Sequence, residues 1–401
     1  MSLQNKCEGF TRATDVKKTG LYAYFSPVES PQNPEIIVDG HKLVNLASNN
    51  YLSLTTHPKV MEAAIAAVLK YGTGTAGSPI LNGYLDLHKK LELKLAHLVG
   101  KEAAIVFATG FQCNSGAIPT LIGRQDYIVS DKLNHASIQT GSFSSRAKVV
   151  RYIHADMGDL ERSLESLKEK SKSKQKLLVV DGVFSMEGDI ANLPEICRLA
   201  EKYDFDVMVD DAHAIGVLPR AGNDLGAGTS ANFGVTDQVD IIMGTFSKSL
   251  ASQGGFIASS YELVDYLRHE ARQYLFSASS TPSAAAAALA ALDVMKEEPE
   301  RIERLWRNTE KMKEELDRMG YNTGVSETPI IPLHVGDMIL ALKMRKQLFE
   351  KEGILINPIV TPAVPENDCL IRTSFMADHT DKHLDYALEK LEKVGKQFAV
   401  I

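Results

Sequence analysis

A lysine that follows an apolar strand is the residue of this chain best suited to covalent chemistry. Thr245-Phe246-Ser247-Lys248 comes directly after the apolar run 241–244. The amine of a lysine at such a strand end can form an imine with an aldehyde cofactor. The neighbouring hydroxyls of Thr245 and Ser247 can donate to a phosphate. A surface lysine in a serine-rich turn is the alternative, and this motif alone does not decide between the two.

A second apolar strand, 206–210, ends in two acids and a histidine, Asp210-Asp211-Ala212-His213. A carboxylate there suits a partner for a protonated pyridine nitrogen, because the ion pair keeps the ring able to accept electrons. His213 can then reach a ring hydroxyl. Aspartate and histidine are also metal ligands, but no histidine or cysteine cluster lies nearby in sequence, so we expect no metal site. A purely structural role for this aspartate–histidine pair remains an alternative.

Two further junctions follow predicted strands. Thr109-Gly110-Phe111 leads from a strand into a helix start, where backbone N–H groups and the helix dipole can bind a phosphate. His135 follows the strand 127–130 and can stack on a flat cofactor ring and exchange protons. Each signal is weak alone, since glycine is common at such turns and a lone histidine is more often an ordinary polar residue.

The glycine pattern Gly72-Thr-Gly74-Thr-Ala-Gly77 matches the G-x-G-x-x-G spacing of dinucleotide sites. That site requires a preceding strand and a helix that starts at the glycines. Here a predicted helix precedes the pattern and Ser78-Pro79 follows it. The segment is therefore predicted to be a loop near a substrate rather than a dinucleotide site.

These residues need a sheet to position them. Apolar strands are predicted at 103–108, 127–130, 149–153, 177–183, 206–210, 241–245 and 255–258, and helices at 57–71, 85–99, 157–168 and 193–203. Uninterrupted apolar strands that alternate with helices indicate an α/β fold, with a mainly parallel sheet covered on both faces. Active sites in such sheets lie at the carboxyl ends of the strands.

The character of the chain changes after residue 282. Helical segments at 284–298, 300–319, 340–352 and 382–398 surround short strands at 330–334 and 369–373, as in an α+β domain. The first fifty residues are irregular, with extended pieces at 36–38 and 43–46. We therefore predict an N-terminal arm over 1–50, a large domain over 51–282 and a small C-terminal domain over 283–401.

The composition narrows the class of protein. The 401 residues carry a net charge of −7, which disfavours nucleic acid and anionic membranes as partners. Four widely spaced cysteines, without a C-x-x-C pair, argue against disulfides and zinc and fit a reducing cytoplasm. No apolar N-terminal stretch indicates a signal peptide, and the longest apolar run, 284–292, is too short for a membrane span. We expect a cytoplasmic protein, with peripheral membrane contact left open.

Together these motifs resemble the α-oxoamine synthase family of fold-type-I pyridoxal-phosphate enzymes, over about 20–396. The resemblance is carried by an ordered set of motifs: Ser48-Asn49-Asn50-Tyr51-Leu52, Gly77-Ser78, Leu81-Asn82-Gly83, Thr109-Gly110-Phe111, Asn134-His135-Ala136-Ser137, the segment 181–189, Asp210-Asp211-Ala212-His213, Thr245-Phe246-Ser247-Lys248 and Ile371-Arg372. It implies the fold-type-I transferase fold, with a large cofactor-binding domain and a smaller α+β domain.

The resemblance also implies how pyridoxal 5'-phosphate is held. Lys248 corresponds to the Schiff-base lysine, Asp210 to the partner of the pyridine nitrogen and His135 to the stacking histidine. The remaining cofactor contacts fall on the ring oxygen (His213 and Ser185), on the phosphate (Gly110, Phe111, Thr245 and Ser247) and on the neighbouring subunit's phosphate (Ser277 and Ala278). The last pair implies an obligate homodimer with shared active sites.

For the substrates, the resemblance places the amino-acid carboxylate on Arg372, with Asn49 nearby and Ser78 in the substrate loop. The implied reaction is a decarboxylative condensation. Lys248 removes the α-proton of an amino acid, the carbanion attacks an acyl thioester, and loss of carbon dioxide leaves an aminoketone. His135 assists by hydrogen-bonding the substrate carboxylate or the thioester oxygen.

Four segments resemble the branch that joins L-serine to a palmitoyl-type thioester in the first step of sphingolipid synthesis: 20–25, 243–252, 276–279 and 357–365. One position departs from the family pattern, because Pro79 in Gly77-Ser78-Pro79 stands where an arginine is expected. Condensation of cysteate toward sulfonolipids is therefore an alternative. Glycine- or alanine-using branches and an aminotransferase-like activity are further alternatives. Coenzyme A and a carrier protein both remain open as acyl donors.

Overall fold

A computed structural model describes residues 2–171, 173–361 and 363–401 of the chain. Pro362, inside the segment 357–365 that carried part of the family resemblance, lies outside the described residues. The chain forms two compact units: one joins the residues up to Ser48 with Arg307–Ile401, and the other is Asn49–Trp306. The predicted arm thus shares a unit with the C-terminal residues, because strand His41–Asn45 pairs in parallel with Ile354–Leu355. The three-part division of the chain stays a proposal.

The larger unit is built on a seven-stranded sheet. In spatial order its strands are Ala103–Phe107, Gly255–Ser259, Ile241–Thr245, Asp206–Asp210, Lys176–Asp181, Tyr127–Asp131 and Lys148–Tyr152. Strand Gly255–Ser259 runs antiparallel to both of its neighbours, and the other strands run parallel to one another. Every residue of Tyr127–Asp131 and of Ile241–Thr245 is buried, as expected for a sheet covered on both faces. The predicted mainly parallel α/β fold is confirmed.

Helices enclose this sheet. Their bounds are Pro58–Tyr71, Asp86–Leu98, Gly110–Leu121, Ala136–Ser145, Met157–Leu167, Leu193–Tyr203, Thr229–Asn232, Tyr261–Glu270, Arg272–Leu275 and Pro282–Glu297. The helix Glu300–Met319 spans the boundary between the two units. Helix Leu193–Tyr203 illustrates the amphipathic pattern, since Ile196, Leu199 and Ala200 are buried on one face.

The smaller unit contains two three-stranded sheets. One has the order Glu35–Val38, His41–Asn45, Ile354–Leu355, and the other has the order Ile330–Gly336, Cys369–Ser374, Asn357–Ile359. Its helices are Leu3–Glu8, Arg12–Lys18, Met338–Glu350 and Asp381–Gln397. Leu333, Met344, Phe375 and Leu391 belong to its apolar core. Among the described residues, no helix combines the length and the apolarity that crossing a membrane requires.

Candidate active site

Five parallel strands of the larger unit deliver their carboxyl ends to one cavity of about 270 Å³. Of the predicted site residues, the cavity lining includes Gly110, Phe111, His135, Ser185, Asp210, His213, Thr245, Ser247 and Lys248. A larger cavity, of about 470 Å³, lies at the amino ends of the strands near Lys101, Asp206 and Asp240. It contains none of the predicted site residues. The cavity at the carboxyl ends is therefore the candidate active site.

Asp210 presents a buried and firmly held carboxylate at the end of its strand. Its Oδ2 accepts a hydrogen bond of 2.7 Å from Asn114 Nδ2, and its Oδ1 accepts one of 3.0 Å from the backbone N–H of Ala212. Asn114 is fully buried on the helix Gly110–Leu121. Two donors from different elements therefore fix the orientation of the carboxylate toward the cavity.

Asp211, the neighbouring acid, has a different task. Its carboxylate accepts hydrogen bonds from the backbone N–H of Thr229 at 3.0 Å and from Thr229 Oγ1 at 2.5 Å. Burial raises the pKa of Asp211 to about 7, although the Thr229 hydrogen bonds oppose the rise. Asp211 does not line the cavity, so Asp210 is the acid of this pair that can meet a ligand there.

His135 lines the cavity as a neutral imidazole with a defined proton. Its Nδ1 accepts from the backbone N–H of Ser137 at 3.3 Å and lies 2.7 Å from Ser137 Oγ, so the ring proton belongs on Nε2. Burial lowers the pKa of His135, and the charge of Lys248 adds to this effect, while that of Asp210 opposes it. The backbone N–H of His135 donates to Asp181 Oδ2 at 3.0 Å. A flat uncharged ring with its proton on Nε2 is suited to stacking and hydrogen bonding.

Asn114 is a functional candidate that the sequence analysis missed. Its Nδ2 also donates to Ser137 Oγ at 2.8 Å, so Asp210, Asn114, Ser137 and His135 form one chain of hydrogen bonds. Tyr51 was missed in the same way, because it was noted only as part of a motif. Its buried hydroxyl lies 2.8 Å from His213 Nδ1 and holds that imidazole. Both contacts join residues far apart in sequence.

A cradle of hydroxyl and backbone N–H groups lies next to Lys248 in the cavity lining. Thr245 Oγ1 is 2.9 Å from Ser247 Oγ and donates to the carbonyl of Gly254 at 3.0 Å. A Cβ atom at Gly110 would lie 2.7 Å from Thr245 Oγ1, so only glycine lets the helix start approach the hydroxyls this closely. Helix Gly110–Leu121 directs its first N–H groups and the positive end of its dipole at this point.

The donor set of the cavity fits pyridoxal phosphate. The helix start and hydroxyls suit the phosphate, the Asp210 carboxylate suits a pyridinium nitrogen, and the neutral His135 suits the ring face. Lys248 supplies the amine for the aldehyde. Among the described residues, no group of three or more histidine, cysteine or acidic side chains is arranged to hold a metal ion.

The other predicted site residues lie outside the lining of this cavity. Ser277 accepts a hydrogen bond of 3.2 Å from Gln112 Nε2, and Ala278 follows it in a segment where Phe276 is 83% exposed. Ser78 precedes a π-helical turn, Pro79–Gly83. The roles of Ser277, Ala278 and Ser78 stay predictions.

Two predicted substrate-binding residues belong to different units. Asn49 Oδ1 accepts a hydrogen bond of 3.4 Å from Tyr51 Oη in the larger unit. Arg372 is buried in strand Cys369–Ser374 of the smaller unit, where its Nη1 donates to Ser374 Oγ at 3.3 Å. Their roles in binding the amino-acid carboxylate also stay predictions.

The sequence of the chain is similar to a known family and to known proteins. The model of the family "Aminotransferase class I and II" matches residues 41–391. The chain is 49% identical over 395 residues to the serine palmitoyltransferase of Sphingobacterium spiritivorum, covering 98% of this chain and 97% of that protein. It is 44% identical over 387 residues to the 8-amino-7-oxononanoate synthase of Thermoanaerobacter pseudethanolicus, covering 96% of each.

A solved structure is similar along the whole chain. It is a variant of serine palmitoyltransferase from S. paucimobilis with a bound aldimine of PLP and myriocin. Its TM-score is 0.94 at 33% sequence identity, and the match covers 100% of both chains. The likeness therefore extends over both units.

Proposed function

We propose that this chain, which belongs to the aminotransferase class I and II family and within it to the α-oxoamine synthases, joins L-serine to a long-chain acyl thioester with loss of carbon dioxide. The chain is a pyridoxal-phosphate-dependent acyltransferase. The product we propose is a 3-ketosphinganine-type aminoketone, as in the first step of sphingolipid synthesis. The observation that carries the choice of serine is the 49% identity to a serine palmitoyltransferase over 98% of the chain.

Pyridoxal phosphate supplies an electron sink for the carbanion left when an amino acid loses its α-proton. We propose that Lys248 would hold the cofactor through its amine and would serve as the base for the α-proton of the amino acid. Asp210, which two N–H donors hold, would pair with the pyridine nitrogen. His213, which Tyr51 holds, and Ser185 line the cavity and would contact the ring oxygen. Together these residues keep the ring oriented while charge develops on it.

His135 has two roles in this proposal. Its neutral ring stacks on the cofactor, and its Nε2–H donates to the substrate carboxylate or the thioester oxygen. Because Ser137 engages Nδ1, the proton stays on the nitrogen opposite. Burial holds the pKa of His135 below its usual value, so this donor stays neutral at physiological pH.

The remaining assignments complete the proposed enzyme. Arg372 binds the amino-acid carboxylate, with Asn49 and Ser78 in support, through the paired hydrogen bonds that a guanidinium offers. Ser277 and Ala278 contact the phosphate of the neighbouring subunit in a homodimer with shared active sites. The acyl donor is acyl-coenzyme A or an acyl carrier protein, and the compartment is the cytoplasm.

A second candidate is an α-oxoamine synthase that uses a different amino acid. The 44% identity to an 8-amino-7-oxononanoate synthase over 96% of both chains supports it, because this value lies close to the 49% of the serine enzyme. Pro79, where the family pattern has arginine, is also compatible with cysteate. The choice therefore rests on the amino acid that the enzyme accepts.

The deciding experiment titrates the purified holoenzyme with L-serine, L-cysteate, glycine and L-alanine, while the cofactor absorption band is recorded. We expect L-serine to shift the band with saturation, and carbon dioxide and an aminoketone to appear when palmitoyl-coenzyme A is added. Saturation and turnover with another of these amino acids, and not with L-serine, would refute the serine assignment. Transfer of the amino group to a ketoacid without a thioester would instead indicate an aminotransferase.

A further inference from the structure

A histidine outside the cavity lining bridges two carboxylates from separate segments. Nδ1 of His154 lies 3.1 Å from Asp131 Oδ1, and its Nε2 lies 3.1 Å from Asp189 Oδ2. The His154 side chain is 20% exposed, whereas the side chains of Asp131 and Asp189 are 2% and 9% exposed. The ring of Phe184 packs edge-on against the imidazole at a centroid distance of 4.4 Å. His154 thus has a carboxylate at each ring nitrogen.

The two carboxylates belong to two of the segments that carry cavity residues. Asp131 ends the strand Tyr127–Asp131 and starts the turn to His135, since its Oδ1 also accepts from the backbone N–H of Leu133 at 2.8 Å. Asp189 lies in a tight hairpin, residues 182–191, that carries Ser185. Backbone hydrogen bonds from Phe184 to Asp189 and from Ala191 to Gly182 close this hairpin.

The bridge requires a charged imidazole, because both ring nitrogens must donate to face two carboxylates. Burial opposes the charge, but hydrogen bonds to Asp131 and Asp189 raise the pKa of His154 to about 10. The second oxygen of Asp189, Oδ1, is buried and has no hydrogen-bond partner among the described residues. His154 is therefore the cation that offsets the Asp189 charge, and its loss leaves two facing acids.

We propose that His154 is a positioning residue of the cofactor site, which fastens the turn carrying His135 to the hairpin carrying Ser185. The spacing between the ring-stacking imidazole and the ring-oxygen contact is then set by the bridge Asp131–His154–Asp189. A second link, from the backbone N–H of His135 to Asp181 Oδ2, joins the same turn to the strand that leads into the hairpin. The inference rests on the proposed cofactor roles of His135 and Ser185, and not on the identity of the amino acid.

The test compares His154→Gln with His97→Gln, a matched control at an exposed histidine of the helix Asp86–Leu98. The dissociation constant of pyridoxal phosphate is measured by titration of the apoenzyme, and the absorption band of the holoenzyme is recorded. We expect His154→Gln to weaken cofactor binding on the order of tenfold, as for other residues that orient a binding group, and to shift the band. His97→Gln should change neither quantity.

Two further variants separate positioning from bulk stability. Asp189→Asn combined with His154→Gln removes the uncompensated carboxylate, so the double variant should regain stability, but without the bridge its cofactor affinity should stay weakened. His154→Arg, which keeps a cation between the acids, should retain the band. A His154→Gln variant with a lower melting temperature but with the dissociation constant and the band of the wild type would overturn the proposal, since His154 would then be structural only.

Ser185→Ala and His135→Asn are measured in the same way. They distinguish a failure of the bridge proposal from a failure of the proposed cofactor roles. If they change the band and His154→Gln does not, the bridge fails while the cofactor roles stand. If they leave both readouts unchanged, the cofactor roles of Ser185 and His135 are refuted, and the bridge with them.

Discussion

At the scale of single residues, the acid and the imidazole of the site are joined through two side chains. The positions of Asp210 and His135 in the cavity lining could be predicted from the sequence, because Asp210 ends an apolar strand and His135 follows one. Both therefore reach the carboxyl edge of a parallel sheet. Asn114 could not be predicted, since its contact with Asp210 joins residues 96 positions apart. A lone asparagine in a helix has no pattern that reveals such a partner.

Replacing the amide of Asn114 should reduce both the stability of the chain and its affinity for the cofactor. Asn114→Ala removes a donor to a buried carboxylate and should lower the free energy of unfolding by about 1–3 kcal/mol. It should also weaken cofactor binding, because Asp210 loses its orientation. Urea unfolding and cofactor titration measure the two effects, with the exposed Asn5→Ala as control. Unchanged cofactor affinity would contradict the role given to Asn114.

Asp211 makes stability depend on pH. Its pKa is about 7 in the folded chain, against about 3.9 for an unfolded aspartate. Between these two pH values the folded state keeps a proton that the unfolded state has released. The contribution of Asp211 to the free energy of unfolding is therefore full below about pH 4 and is lost as pH rises through about 7. Asp211→Asn should flatten that fall in urea unfolding across pH, whereas the exposed Asp224→Asn should not. If the free energy of unfolding fell equally with pH in the wild type and in Asp211→Asn, Asp211 would not be the source of the pH dependence.

At the scale of elements, the helices and strands that could be predicted from the sequence are those with buried apolar residues. Strands Asp206–Asp210 and Ile241–Thr245 and helix Leu193–Tyr203 were predicted with their observed bounds, because apolar residues mark their buried faces. Helices Leu3–Glu8 and Arg12–Lys18 were missed, because neither has a buried residue. Helix Ala136–Ser145 was missed for another reason: most of its buried positions are serine or glycine, which carry no apolar periodicity.

The junction of strand and helix at Gly110 should tolerate no side chain. Gly110→Ala places a Cβ about 2.7 Å from Thr245 Oγ1, so the helix start must move away from the hydroxyls. We expect cofactor affinity to fall on the order of tenfold, in line with about 1.4 kcal/mol. Titration with pyridoxal phosphate measures it, and Gly123→Ala, whose Cβ meets Asp126 at an ordinary 3.4 Å, is the control. Equal affinity in the two variants would argue against the cradle.

At the scale of the whole molecule, the α/β fold could be predicted from the sequence, but the pairing between the two ends of the chain could not. The residues up to Ser48 form one unit with the C-terminal residues through the parallel pairing of His41–Asn45 with Ile354–Leu355. Such pairing joins residues about 300 positions apart, and two short strands have no local signal for it. Phe276 is exposed, and the segment that follows it is the one we propose to contact the neighbouring subunit.

Shared active sites predict complementation between two inactive chains. Lys248→Ala removes the proposed base, and Ala278→Asp places a negative charge at the neighbour's phosphate. Each variant alone should be inactive, but a hybrid dimer contains one site with Lys248 from one chain and Ala278 from the other. Co-expression should restore about a quarter of the wild-type activity if pairing is random. An inactive co-expressed mixture, with hybrids verified by affinity tags, would place each site within one subunit.

The central claim, that Lys248 holds the cofactor, is tested most directly by borohydride reduction of the holoenzyme followed by peptide mass spectrometry. Reduction fixes the bond between a lysine and the cofactor aldehyde, so the labelled peptide identifies the residue. We predict a phosphopyridoxyl group on Lys248 and no label on the Lys248→Ala variant. A label on another lysine, or one that persists after Lys248→Ala, would contradict the account.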